Sequence, residues 1–176
     1  MHEKILKGKV VLVGIGNPLR GDDAFGPKLV ERLTGKVRAV CIDAGTAPES
    51  YTGKIVKEKP DTIVLADAVH LDKAPGEYAF LGKAEILKSG FTTHDMSPSL
   101  FIEYLESQTR ADIYLLGVQP QTLSMGADMS EPVKQTLERL AAEIADALPS
   151  SPAVAGRGSM GSPPEAAEND ESHDYA

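Results

Sequence analysis

The stretch VVLVGIGNPLRGDDAFGPKLVERL, Val10 to Leu33, moves from an apolar β-branched run, through a loop with two adjacent aspartates, into a helical pattern. The run Lys9–Ile15 reads as a strand buried on both faces. Beyond the loop, Phe25, Leu29, Val30 and Leu33 fall on one helical face. Asp23 is placed as that helix's N-cap and Pro27 within its first turn. The same alternation continues down the chain. VRAVCID, DTIVLADAV and DIYLLGVQP read as strands, and PESYTGKIVKE as a weak helix interrupted by Gly53. GEYAFL has the alternation of a short edge strand, and EILKSG that of a helical turn. SPSLFIEYLESQ opens a helix with Ser97 as N-cap and Pro98 at the first helical position. SEPVKQTLERLAAEIADAL is the clearest helix, with Val133, Leu137, Leu140, Ala141, Ile144 and Leu148 in one stripe. Continuous apolar strands between amphipathic helices predict an α/β/α sandwich with a mostly parallel sheet.

The 176 residues carry 41% hydrophobic and 25% charged side chains, enough for one globular core. No apolar run is long enough to span a bilayer, and the N-terminus lacks the apolar centre of a secretory signal. A cytoplasmic protein is expected. The lone cysteine, Cys41, fits a reducing compartment and reads as a small buried hydrophobe. A net charge of −8 argues against nucleic acid and anionic membranes as partners. Half of that charge lies in 149–176, where five acids face one base, Arg157, among Pro, Gly, Ser and Ala. The expected organisation is a folded domain over 1–148 and a disordered acidic tail over 149–176.

In parallel α/β sheets, ligands gather at the carboxyl ends of the strands. The GNPLRGDD loop, Asp43, Asp67 and GVQPQ all fall at such ends, and His94 sits in the loop before a helix. Gly14 and Gly16 suggest a dinucleotide loop, with Asp43 placed like its ribose-binding acid. The third glycine of that fingerprint is replaced by Leu19, and Asp22 and Asp23 would repel a pyrophosphate at the helix start. A phospho-accepting receiver domain would need a lysine after the last strand, where this chain has GVQPQ. Spacing by itself favours two capping or turn aspartates and a loop histidine. Convergence on one sheet edge favours Asp23, Asp67 and His94 around a divalent ion such as zinc or nickel. His70 reads as a solvated loop residue, and His2 and His173 lie near the termini. No nucleophile elbow is present, and Ser97 and Ser99 read as a helix start.

Five motifs taken in order resemble the hydrogenase maturation endopeptidases: GIGNPLRGDDAFG (Gly14–Gly26), DAGTAPE (Asp43–Glu49), ADAV (Ala66–Val69), TTHDMSP (Thr92–Pro98) and GVQPQ (Gly117–Gln121). The last two are most similar to the branch that matures formate-hydrogenlyase-type and archaeal enzymes. Ala44 stands where the family has glycine, and the acidic tail lies outside its pattern. The resemblance implies a five-stranded sheet of order 2-1-3-5-4 with one antiparallel strand, GEYAFL. It implies a hydrolase that removes the C-terminal extension of a nickel–iron hydrogenase large-subunit precursor; a monomer is expected. Asp23, Asp67 and His94 would contact nickel carried by that precursor and perform the cleavage, with Asp23 or Asp67 as base. Gly14, Gly16 and Gly21 would bring backbone close to the substrate and aim the acids. A nickel-binding chaperone without protease activity is the alternative, and a nucleotide-binding module a further one.

Overall fold

The computed structural model describes residues 2–89 and 98–150. A short helix α1 (His2–Ile5), not expected from the sequence, precedes β1 (Val10–Ile15). A 3₁₀ turn at Gly21–Ala24 leads into α2 (Phe25–Leu33), then β2 (Ala39–Gly45). The weak helix resolves into a 3₁₀ turn, Pro48–Tyr51, continuing as α3 (Thr52–Lys57). There follow β3 (Thr62–Ala68), β4 (Tyr78–Gly82), α4 (Lys83–Ser89), α5 (Pro98–Gln108), β5 (Asp112–Val118) and α6 (Glu131–Ala147). α5 begins at Pro98 as predicted; its expected cap Ser97 lies outside the described residues.

The sheet has the order β2-β1-β3-β5-β4. Its first four strands run parallel, and β4 pairs antiparallel with β5 at the edge. Alternation along the strands divides the core in two. Val10 and Leu12 pack with Val64, Ala66 and Leu116 against Phe25, Leu29 and Leu33 of α2 and Val133, Leu137 and Leu140 of α6. Val11, Val13, Ile63 and Leu65 face the other way, toward Ile55 of α3 and Phe101, Ile102 and Leu105 of α5. The sheet is thus covered on both sides, which is why its strands read as unbroken apolar runs.

The start of α2 differs from the sequence reading. Its N-cap is Ala24, and Asp23 sits inside the preceding 3₁₀ turn. The reason is a backbone crowded against the sheet. A Cβ on Gly26 would stand 2.2 Å from the Ala66 carbonyl oxygen and 2.4 Å from that of Ile15; one on Gly14 would stand 2.3 Å from the Gly26 carbonyl oxygen. Two glycines therefore let the first turn of α2 rest directly on β1 and β3. The chain tightens one turn early to enter it, carrying Asp23 inward.

Candidate active site

Because β1, β2, β3 and β5 are parallel, their last residues share one edge of the sheet. Asp67 is the penultimate residue of β3, paired with Gly117 of β5, and only 3% exposed. By alternation it belongs to the face of Ile63 and Leu65, the face covered by α5. Its carboxyl group is held well above the ordinary aspartate range. Burial is the main cause, the nearby charge of Asp23 adds to it, and a backbone hydrogen bond at Ala68 acts the other way. Asp67 and Asp23 are thus electrostatically coupled across the gap between β3 and the 3₁₀ turn.

Asp23 is 1% exposed and accepts a hydrogen bond from the Asn17 amide at 2.9 Å. Gly16 fixes this arrangement. It has a φ of +136°, and a Cβ there would stand 1.9 Å from the Asp23 carbonyl oxygen. Asp22, fully buried, faces elsewhere. Its carboxylate accepts from the amides of Gln121 (2.7 Å), Thr122 (3.0 Å) and Ser130 (2.6 Å), and from the Ser130 hydroxyl (2.9 Å). Four donors occupy its lone pairs, so Asp22 is a structural anion and Asp23 is the member of the pair that meets Asp67. Ser130, the N-cap of α6, donates its hydroxyl to Asp22 and makes no side-chain cap bond. Nothing in the sequence marks this use of Ser130, which depends on a contact between residues 108 apart.

The glycines serve the protein's own packing. Gly14 and Gly16 face the start of α2 and Asp23, and Gly21, at φ +54°, faces the Thr122 carbonyl. At each of these three glycines an added Cβ would meet atoms of the chain itself. Asp43 is exposed and closes its own turn onto the Gly45 amide, apart from the buried pair. Gln119, from GVQPQ, accepts from the Leu71 amide at 2.7 Å and lies 3.4 Å from Nδ1 of the exposed His70. It fastens the β3–β4 connection to the end of β5. Cys41 is partly buried, and its thiol is pushed up by desolvation.

His94 lies outside the described residues, four positions before α5. Among the described residues no three His, Cys, Asp or Glu side chains converge as a metal-holding group. None of the buried side-chain oxygens or nitrogens described lacks a partner. Two coupled buried carboxylates are nevertheless a fitting donor set for a divalent cation, whose charge would offset the repulsion between them. Among the described residues no helix is long and apolar enough to cross a membrane.

Comparison with known proteins agrees with this architecture. A family model described as hydrogenase maturation protease matches residues 27–147. The hydrogenase 3 maturation protease of Escherichia coli K12 is 30% identical over 131 residues, covering 73% of this chain and 83% of that protein. The crystal structure of the [NiFe] hydrogenase maturation protease HycI from Thermococcus kodakarensis superposes with a TM-score of 0.77 at 38% identity. It covers 84% of this chain and 97% of its own. The solution structure of the endopeptidase HycI from Escherichia coli gives 0.69 at 27% identity, over 79% and 90% of the two chains. With its sheet order, its acid-bearing edge and these matches, the chain belongs to the hydrogenase maturation protease family.

Proposed function

We propose that this endopeptidase removes the C-terminal extension of a hydrogenase large-subunit precursor that already carries nickel, and that Asp23, Asp67 and His94 contact that nickel. The observation that carries the reading is the coupled pair of buried acids at the sheet edge. In the free protein, burial and the nearby charge of Asp23 favour the neutral form of Asp67. A precursor that brings a divalent cation offsets the repulsion between the two acids; a nickel-free precursor offers nothing to do so. Selection for loaded precursor then follows from electrostatics. His94, four residues before α5 in the chain, is the third ligand of this reading. α5 ends four residues before β5 begins, so its first turn points toward the edge that holds Asp67. Four residues of chain span at most about 14 Å from there.

Bound to both acids, the nickel anchors the precursor with its C-terminal peptide bond beside them. A carboxylate oxygen of Asp23 or Asp67 takes a proton from the attacking water as the water oxygen bonds to the carbonyl carbon. The C–N bond then breaks, and that proton passes to the leaving nitrogen. The lone reduced cysteine fits a cytoplasmic site of action. The test is incubation of purified protein with nickel-loaded and nickel-free precursor, followed by the shortening of the large subunit on a gel. Wild type is expected to cut only the loaded form, and Asp23→Asn to slow cutting at least about 100-fold while melting normally. Binding of loaded precursor without any cleavage would identify a chaperone instead.

A further inference from the structure

The β5–α6 connection, 119–130, contains no helix or strand, yet it is tied closely to the 3₁₀ turn that carries Asp23. Besides the four bonds received by Asp22, the Gly21 amide donates to Ala127 and the Asp22 amide to Thr122. The Gly126 amide donates to Leu19, and Arg20 Nε to the Leu123 carbonyl. Gly21 permits this approach: a Cβ there would stand 2.7 Å from the Thr122 carbonyl oxygen. A fully buried carboxylate is costly unless every donor stays in place, so Asp22 holds the two loops as one piece. That piece leaves two large apolar side chains in solvent, Leu19 at 68% and Met125 at 67% exposure. The Gly126–Leu19 bond, 2.8 Å long, brings their backbones together, and Leu19 lies four residues from Asp23.

We propose that Asp22 is a positioning residue that holds the β5–α6 connection as a precursor-binding rim, with Leu19 and Met125 contacting apolar side chains beside the scissile bond. The inference rests on the protease reading given above. Its chemistry is that of a preformed surface. The loops are already ordered by Asp22, so docking a peptide there orders only the peptide, and apolar contact area appears as affinity. Met125 suits such a contact because its unbranched thioether adapts to the shape of its partner. The hydrogen bonds that the Asp22 carboxylate accepts come from Gln121, Thr122 and Ser130 of this connection, so its effect is on binding more than on chemistry.

The test compares wild type, Leu19→Ser/Met125→Ser and Asp22→Asn. Cleavage of nickel-loaded precursor is measured over a range of concentrations, with precursor binding followed separately by interferometry. The double variant changes two largely exposed side chains. It is expected to raise KM and weaken binding at least tenfold, with kcat within threefold and an unchanged melting temperature. Asp22→Asn, whose amide meets donors with a donor, is expected to raise KM likewise and to speed hydrogen exchange at Thr122 and Ser130. A double variant with KM within twofold of wild type overturns the proposal, whether or not Asp22→Asn folds. So does an Asp22→Asn protein that loses kcat at unchanged KM. A concentration-dependent dimer abolished by Leu19→Ser/Met125→Ser would assign the surface to self-association and overturn it too. If wild type cuts the precursor and the double variant matches it, only the rim falls. If wild type neither binds nor cuts, the protease reading falls with it.

Discussion

Asp22 and Asp23 carry the same side chain on adjacent residues, and both are buried, yet their oxygens face different partners. Asp22 is satisfied by a loop a hundred positions away; Asp23 accepts from Asn17 and raises the proton affinity of Asp67. The coupling has a measurable consequence. The native pKa of Asp67 is raised, so between the ordinary aspartate value and that raised value the folded state binds more protons than the unfolded state. Stability contributed by the neutral acid is therefore complete at the acid end of this window and falls as pH rises through it. The steepest loss is about 1.4 kcal/mol per pH unit for one proton. Asp67→Asn keeps the neutral shape without the titration. It is expected to be more stable than wild type at neutral pH and to lose that part of the slope, as read by urea denaturation from pH 4 to 8. A wild-type profile that rises with pH in parallel with the variant's would contradict the shift.

At the scale of elements, the decisive contact is α2 upon β1 and β3. Six of the nine residues of α2 are buried, and its first turn meets the strands backbone to backbone through Gly14 and Gly26. Gly26→Ala has no room for its methyl group. It must push α2 away from Ala66, the residue before Asp67. The expected loss is about 1–3 kcal/mol in urea denaturation, as for other overpacked sites, together with slower precursor cleavage as Asp67 shifts. Cleavage at the wild-type rate would show that the helix can move without disturbing the acids. The strands and helices are legible in the chain because periodicity is local: β1, β3, β5 and α6 appear within a residue or two of where their apolar patterns put them. The 3₁₀ turn is less legible. It arises because the chain must meet the sheet at glycine contact distance, and no neighbour in sequence states that distance.

Across the whole molecule, one sheet joins two apolar layers. Leu140 of α6 is buried on one side and Leu105 of α5 on the other, both without solvent contact. Either residue changed to alanine is expected to cost about 2–5 kcal/mol. Each variant should still unfold in a single transition, with circular dichroism and tyrosine fluorescence coinciding, because both layers share the same strands. Separate midpoints for the two probes would mean that the layers open independently. The acidic surface adds little to this framework; the exposed ion pair between Arg32 of α2 and Glu138 of α6 is of a kind worth about 0–1 kcal/mol.

The sequence by itself determined the order of elements, the parallel sheet and the placing of Asp67 at a strand end, since these follow from periods of two and 3.6 residues along the chain. The sequence expectation already put Asp23 rather than Asp22 beside Asp67, but only the tertiary structure supplied the physical reason for that choice. That choice depends on amides at Gln121, Thr122 and Ser130, which approach Asp22 once the sheet has brought the ends of β1 and β5 to the same edge. Hydrogen bonds to a buried charge require donors at fixed short distances, and folding alone supplies those distances.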